Sequence, residues 1–440
     1  MKVSVEEVNQ VKKRVSVAIP REQVAKELTE YFIDVRKRAN IKGFRPGKAP
    51  MGMIERMYRD AATADVSSKL IGESYPKAVE EQNLKPLGTP TLEKGTLAKD
   101  QDFSYTATVE VKPEFKVDGY FGLELEKEEI QVTDDQVEDY LRRVQEAHSR
   151  LEPVADRALR EGDVAIVDYE RFIDEQPVEE SKHENVHIEL GKNRFPELEK
   201  GLVGHSKDDQ KDVVITYPED HELKSVAGKT VKYSLKVVDI KEKVLPELDD
   251  DFAKELDAEA DTVEELRKKI REDLTQRENQ RVQTVLNSQI IKRLIETHSF
   301  EVPEVLVEYE LSSLVENFQR RLVQQGITLE AAGIDLDEWR KSNVSVAEER
   351  VRASLLLNAV GSKEGIEVSD EELDEGYRKV AKQMGQDKEF IKGVYQKNNM
   401  VDTFKDQLLE EKILKAICDH ATFISKPPEP TDSEKEGTID

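Results

Sequence analysis

Residues 43–50 read Gly43-Phe44-Arg45-Pro46-Gly47-Lys48-Ala49-Pro50, an aromatic and two cations on a short stretch punctuated by glycines and prolines. Glycine admits tight backbone turns and proline fixes φ, so the stretch reads as a stiff tip that thrusts Phe44, Arg45 and Lys48 outward. On its amino-terminal side Val24, Leu28, Phe32 and Val35 recur at helical spacing, and Arg36, Lys37 and Arg38 stand where cations favour a helix carboxyl end. On its other side Met53, Ile54 and Met57 begin a second helical stretch. The tip is thus the loop of a helix-loop-helix, either an interaction device or an ordinary solvated turn. The residues alone leave both readings open.

Outward from the tip, residues 2–19 alternate around Asn9 and Gln10 as a β-hairpin, and strand patterns return at 89–93 and 103–115. Together they make one α+β domain over residues 1–115. A connector over 116–150 contains a strand-like stretch at 123–130 and a helix opened by Thr133 with Gln136 in capping-box spacing. Residues 151–243 carry short alternating strands, at 164–169, 186–190, 213–217 and 231–240, broken around Gly191, Gly201, Gly204 and Gly228. That is a small β-rich domain. Over 244–424 helices dominate: one opened by the Thr262 and Glu265 box and running to Leu294, then stretches at 305–325, 336–362, 369–384 (boxed by Ser369 and Glu372) and 400–417. Residues 425–440, rich in proline and acid, read as a disordered tail. The expected fold class is multidomain α+β, with an amino-terminal α+β domain, a small β-rich domain and an all-α, elongated carboxyl-terminal domain.

Composition narrows the function. Over 440 residues the chain is 37% hydrophobic and 36% charged, with mean hydropathy −0.66 and a formal net charge of −26. That charge repels phosphate, so DNA and anionic membranes are not expected partners, and any RNA contact must be local. The tip offers such a place, amid Arg36, Lys37, Arg38, Lys42, Arg56 and Arg59. Cys418 is the lone cysteine and the amino terminus lacks a secretory pattern, which makes the cytosol the expected compartment. No stretch approaches the roughly 18 apolar residues of a membrane span. HExxH, GxSxG, P-loop, CxxC and GxGxxG patterns are absent and the histidines are scattered, so neither a metal nor a cofactor is expected. The acidic run Glu247 to Asp251 lacks EF-hand spacing and reads as a solvated face.

GFRPGKAP resembles the GFRxGKxP ribosome-binding signature of the trigger factor family, and the domain order and the LPELDDDFAKEL stretch from Leu245 to Leu256 look like that family's too. The resemblance implies an ATP-independent chaperone that binds the large ribosomal subunit, protein and rRNA near the exit tunnel, through Gly43, Phe44, Arg45, Pro46, Gly47, Lys48 and Pro50. Nascent and unfolded polypeptides are its implied clients. Whether the free protein forms a homodimer stays open. For client contact the helical part offers residues 302–314, Leu322 and Met384.

The β-rich domain is implied to be an FKBP-like prolyl isomerase. Such an enzyme needs no nucleophile, because the barrier of roughly 18–20 kcal/mol is amide resonance, and an apolar cage that favours the twisted bond suffices. Candidate walls are Tyr169, Phe195, Leu198, Tyr217 and Tyr233, which also suit the plain core of a small β domain. The stretch Gly191 to His205 resembles the FKBP pattern at Phe195, Pro196 and Glu199, with Glu197 in place of a glycine and Leu198 in place of an aromatic. By the same resemblance Val178, Glu179 and His221 occupy pocket positions, and His221 stands where a tyrosine is usual. Two other readings compete: a free-standing prolyl isomerase or holdase without ribosome docking, and a non-catalytic scaffold.

Overall fold

The computed structural model describes all residues except 46, 155, 174–175, 178–181, 193–194, 220–226, 258–259, 330–332 and 428–440, and the side chains of 176–177. The chain divides into two compact units: Met1–Lys127 with Gln283–Lys426, and Glu128–Val282. Among the described residues no helix is long and apolar enough to cross a membrane.

The first unit opens on a four-stranded antiparallel sheet in the order β1-β2-β4-β3, from β1 (Lys2–Glu7), β2 (Lys12–Ile19), β3 (Pro86–Lys94) and β4 (Phe103–Val111). β4 alternates perfectly, burying Phe103, Tyr105, Ala107, Val109 and Val111, and it ends there rather than at Phe115 because Pro113 offers no ladder donor. On this sheet lie α1 (Arg21–Arg38), α2 (Met51–Met57) and α3 (Arg59–Glu81). The sequence pattern did not single out α3. Its Val66, Leu70, Ile71 and Ala78 are buried, and the hydroxyl of its Ser74 meets that of Tyr105 at 2.8 Å. The resulting core draws only on residues 3–111.

The same unit contains the carboxyl-terminal helices. These are the second half of α7 (Val263–Thr297), α8 (Glu304–Gln324), α9 (Leu336–Ser342), α10 (Val344–Glu364), α11 (Asp370–Met384), α12 (Lys388–Lys397) and α13 (Val401–Asp419). Three expectations change here. The stretch 336–362 is broken at Asn343, which closes α9 and opens α10. α12, capped by Asp387, went unread. The region is also not all-α, since β12 (Thr422–Lys426) pairs with β5 (Glu124–Glu128) and takes in Ser425 and Lys426, which the sequence reading gave to the tail. The rest of that tail, 428–440, lies outside the described residues.

α8 is tied to the sheet at its first turn. The Val305 N–H donates to Glu110 Oε2 at 2.9 Å, Lys12 pairs with Glu304 at 2.8 Å, and Gly88, at φ +69°, leaves room for Val305 where a Cβ would come within 2.9 Å of it. Hydrogen bonding to Glu304 raises the Lys12 pKa. Phe115 stacks on Phe300 at 4.0 Å, and Lys363 bonds both the Val117 carbonyl and Asp118.

The second unit holds a six-stranded sheet: β6 (Arg150–Pro153), β7 (Val164–Ile173), β8 (Gln176–Pro177), β9 (His183–Glu189), β10 (Gln210–Thr216) and β11 (Thr230–Val244). β11 runs between β10 and β7, with a bulge between Val237 and Asp239. The short α5 (Pro196–Leu202) covers one face, and α4 (Asp134–Ala147), α6 (Asp250–Leu256) and the first half of α7 form a separate apolar cluster around Val137, Leu141 and Ile270. The Thr133 box closes as expected. The acidic run serves as caps: Asp249 accepts from the Phe252 N–H and Asp250 from the Val263 N–H.

Candidate functional site

The loop between α1 and α2 is pinned from within. The Gly47 N–H donates to the Arg36 carbonyl at 3.0 Å, folding the loop back on the end of α1, while Phe44 N–H to Ile41 O (3.0 Å) and Lys48 N–H to Arg45 O (2.9 Å) close two turns. Gly43 and Gly47 hold φ of +93° and +80°, values that side-chain-bearing residues rarely adopt. Ile41 and Ala49 are buried in the core, so the loop is anchored at both ends. Between the anchors Arg45 and Lys48 are exposed and Phe44 is 38% exposed, although aromatic surface is ordinarily buried. Pro50 stands at the start of α2, and Pro46 lies outside the described residues. Lys37 and Arg38 are both committed to Asp34, at 3.0 and 3.2 Å. Among the described residues no ion pair involves Lys42, Arg45, Lys48 or Arg56. The exposed charge of the loop is thus positive on a chain of net charge −26.

In the second unit strands β7 and β11 bring Tyr169 and Tyr233, the end of β10 brings Tyr217 and helix α5 brings Leu198 to one core that includes Val167, Val213, Ile215 and Leu235. Tyr169 and Tyr233 lie 5.9 Å apart with their planes at 56°, and the Tyr217 and Tyr233 hydroxyls meet at 2.7 Å. Burial pushes the Tyr233 phenol well above its ordinary value, reinforced by that hydrogen bond, and burial pushes Tyr169 up as well. Both rings are therefore neutral at physiological pH and present apolar faces to the core.

α5 reaches this face because Gly201 has no side chain: a Cβ there would sit 2.4 Å from Val213 Cγ2. The loop before α5 is braced by Glu199, whose buried carboxylate accepts from the Gly191 N–H at 3.0 Å and the Phe195 N–H at 2.9 Å. Phe195 does not join the ring cluster. It is 49% exposed and lines a groove of about 460 Å³ with Leu151, Val164, Ile188 and Lys243. Val178, Glu179 and His221 lie outside the described residues. Sequence reasoning missed His183, whose ring packs 4.9 Å from Tyr169, and Arg171, opposite Tyr233 in the register. The alternation of β7 was the signal for Arg171, while His183 depends on a pairing across a register shift.

Of the residues suggested for client contact, Leu322 is buried, as is Leu311 within 302–314. Tyr309 and Met384 are open, and so are Val323, Phe390 and Met400.

The FKBP-type peptidyl-prolyl cis-trans isomerase family matches residues 155–238, which cover the ring cluster and its sheet except β6 and the last residues of β11. The class is thereby set: a multidomain α+β protein carrying an FKBP-type isomerase domain in mid-chain. Two further families flank it, bacterial trigger factor protein at residues 1–144 and its carboxyl-terminal part at 262–419. The trigger factor of Geotalea daltonii is 38% identical over 425 residues, covering 96% of this chain and 98% of that one. That of Geobacter sp. strain M21 is 37% identical over 430 residues, with 97% and 99% covered. A solved structure from work on promiscuous substrate recognition by the trigger factor chaperone shares the fold, with TM-score 0.51 and 19% identity over 95% of this chain and 99% of its own. The chain belongs to the trigger factor family. It is a ribosome-associated chaperone with an FKBP-type prolyl isomerase domain, an isomerase by family.

Proposed function

We propose that this chaperone docks on the large ribosomal subunit in the cytoplasm through the tip Gly43 to Pro50, with Phe44 against ribosomal protein and Arg45 and Lys48 against rRNA phosphate near the exit tunnel. The observation that carries the reading is an exposed aromatic beside two exposed cations on a loop pinned by Ile41, Ala49 and the Gly47 to Arg36 hydrogen bond. Such a loop has little entropy left to lose on binding. Nascent and unfolded chains are sheltered on apolar helical surface, for which Tyr309, Val323, Met384 and Phe390 are the open residues, and no nucleotide is needed. Residues 1–115 serve docking, 116–150 connect, 151–243 isomerise at the Tyr169, Leu198, Tyr217 and Tyr233 cluster, and 244–426 hold clients.

The test is co-sedimentation with vacant ribosomes of the wild type and of a Phe44→Ala, Arg45→Ala, Lys48→Ala variant whose fold is checked by circular dichroism. Pelleting of the wild type alone supports the reading. Equal pelleting moves docking elsewhere, and pelleting of neither favours a free isomerase or holdase. Raising salt weakens the wild-type interaction if phosphate contacts release counterions, and salt-independent binding rejects the rRNA part.

A further inference from the structure

Methionine is a soft, unbranched side chain that commonly fills gaps in cores. None of the six methionines of this chain is buried. Met51 and Met53 pack half-buried on the sheet core of the first unit, while Met57, Met384 and Met400 are exposed. The second unit contains neither methionine nor cysteine. Two of the open thioethers stand on one corner of the carboxyl-terminal helices. Met384, 63% exposed, ends α11 just before Gly385 turns the chain at φ +61°. Met400, 43% exposed, precedes α13, with its N–H donating to the Tyr395 carbonyl at 2.8 Å. Between them in sequence, α12 buries Ile391 with Tyr377 and Phe404 and leaves Phe390 and Val394, one helical turn apart, outside.

A thioether held in solvent is open to a peroxide. Its sulfur attacks the nearer peroxide oxygen, an S–O bond forms as the O–O bond breaks, and water leaves, so the sulfur gives up two electrons and the peroxide takes them. The sulfoxide that results is polar, and an apolar contact becomes one that costs a hydrogen bond to bury. Cys418, the one thiol, is buried and so shielded from the same reagent. We propose that Met384 and Met400 are oxidation sites whose sulfoxides loosen the hold of this chaperone on unfolded chains, while the isomerase, in a unit without thioether or thiol, keeps its activity. The inference rests on the reading of the α11 to α13 corner as client-holding surface.

The experiment treats the full-length chain with hydrogen peroxide, removes the excess with catalase, and maps sulfoxides by peptide mass spectrometry. It then measures the chaperone concentration that halves aggregation of unfolded, reduced lysozyme, and the turnover of a short proline peptide. Met384 and Met400 should oxidise before the half-buried Met51 and Met53. The half-suppressing concentration should rise about fivefold, the equilibrium equivalent of one polar group left poorly paired, with peptide turnover unchanged. Methionine sulfoxide reductases of both stereospecificities should reverse the rise, a result that uses wild-type protein alone. A Met384→Leu, Met400→Leu variant keeps the apolar surface and should suppress aggregation equally before and after peroxide, although Met57 remains to be oxidised. An equal loss in that variant places the effect elsewhere and overturns the inference, as does a parallel loss of peptide turnover. Sulfoxide at both positions with suppression unchanged also overturns it. Phe390→Ser with Val394→Ser then separates the two readings: weaker suppression keeps the corner as client surface and confines the failure to oxidation, and unchanged suppression removes the corner as well.

Discussion

At the tip Phe44 is exposed beside Arg45, with Lys48 further along the loop, whereas in the second unit Tyr169, Tyr217 and Tyr233 pack on the core and the Tyr217 and Tyr233 hydroxyls meet each other. Both arrangements use aromatic surface, in opposite senses. The tip stabilises an exposed aromatic by anchoring the residues around it, so its energy is released only when a partner covers it. The ring cluster packs its aromatics against the core and one another, so their contact energy goes into fixing their mutual arrangement. The two regions therefore differ in where the scaffold places its hydrogen bonds: in the tip backbone, and among the walls of the cluster.

If the two sites are independent, removing the tip leaves the cage working. The Phe44, Arg45, Lys48 triple alanine variant should lose at least ~100-fold in ribosome affinity, about 2.7 kcal/mol over three contacts, with peptide isomerisation unchanged. A parallel loss of turnover breaks the comparison. A smaller effect sharpens it. Gly201→Ala forces a Cβ against Val213 and should destabilise the second unit by about 2 kcal/mol, seen as an earlier melting transition. Gly43→Ala meets no atom within 4 Å and suffers only its φ of +93°, for a cost of about 1 kcal/mol confined to the tip. Tyr217→Phe deletes the 2.7 Å hydroxyl contact, should cost about 1 kcal/mol, and should bring the Tyr233 phenol down in an ultraviolet titration.

The smallest effects are set by pH. Hydrogen bonding to Arg157 holds the buried Asp163 carboxyl below its ordinary 3.8, so its contribution is present above that value and is lost as pH falls through the lowered one. Acid melting of the second unit should show this loss below pH 3.8, and Asp163→Asn should remove the dependence. In the first unit the hydrogen bond to Asp65 lifts the Tyr31 phenol to about 12. Its contribution is present below the ordinary 10.0 and disappears as pH rises through about 12. An alkaline titration in which Tyr31→Phe changes nothing would reject that assignment.

The tip was legible because everything that shapes it is local. Gly43 and Gly47 take the positive φ of the turns, Pro50 opens α2, and the cations before the tip mark a helix end, all within the 15 residues from Arg36 to Pro50. The cage was only half legible, because membership depends on register. Tyr233 faces Tyr169 through a β11–β7 pairing that spans more than 60 positions, and Phe195, a plausible wall by sequence, turns to another groove once Glu199 fixes the loop before α5. α3 was missed for a related reason. Its Pro76 argues against a helix locally, and burial of Val66, Leu70 and Ile71 on the sheet overrides it. β12 was unreadable without its partner, since β5 lies about 300 positions earlier.

The hydrogen bond from Val305 to Glu110 spans 195 residues of chain, and the intervening second unit has to be made before it can form. At about 5–20 residues per second of synthesis, that is a wait of roughly 10–40 s. The core of the sheet draws on residues 3–111 alone, so it can close at once. The end of its two central strands at Lys12 and Glu110, already paired at 3.5 Å, then stands uncovered until Glu304 and Val305 leave the ribosome. A protein that attends the growth of other chains thus passes through a long adolescence of its own, with its earliest-made part folded and its last contacts still unwritten.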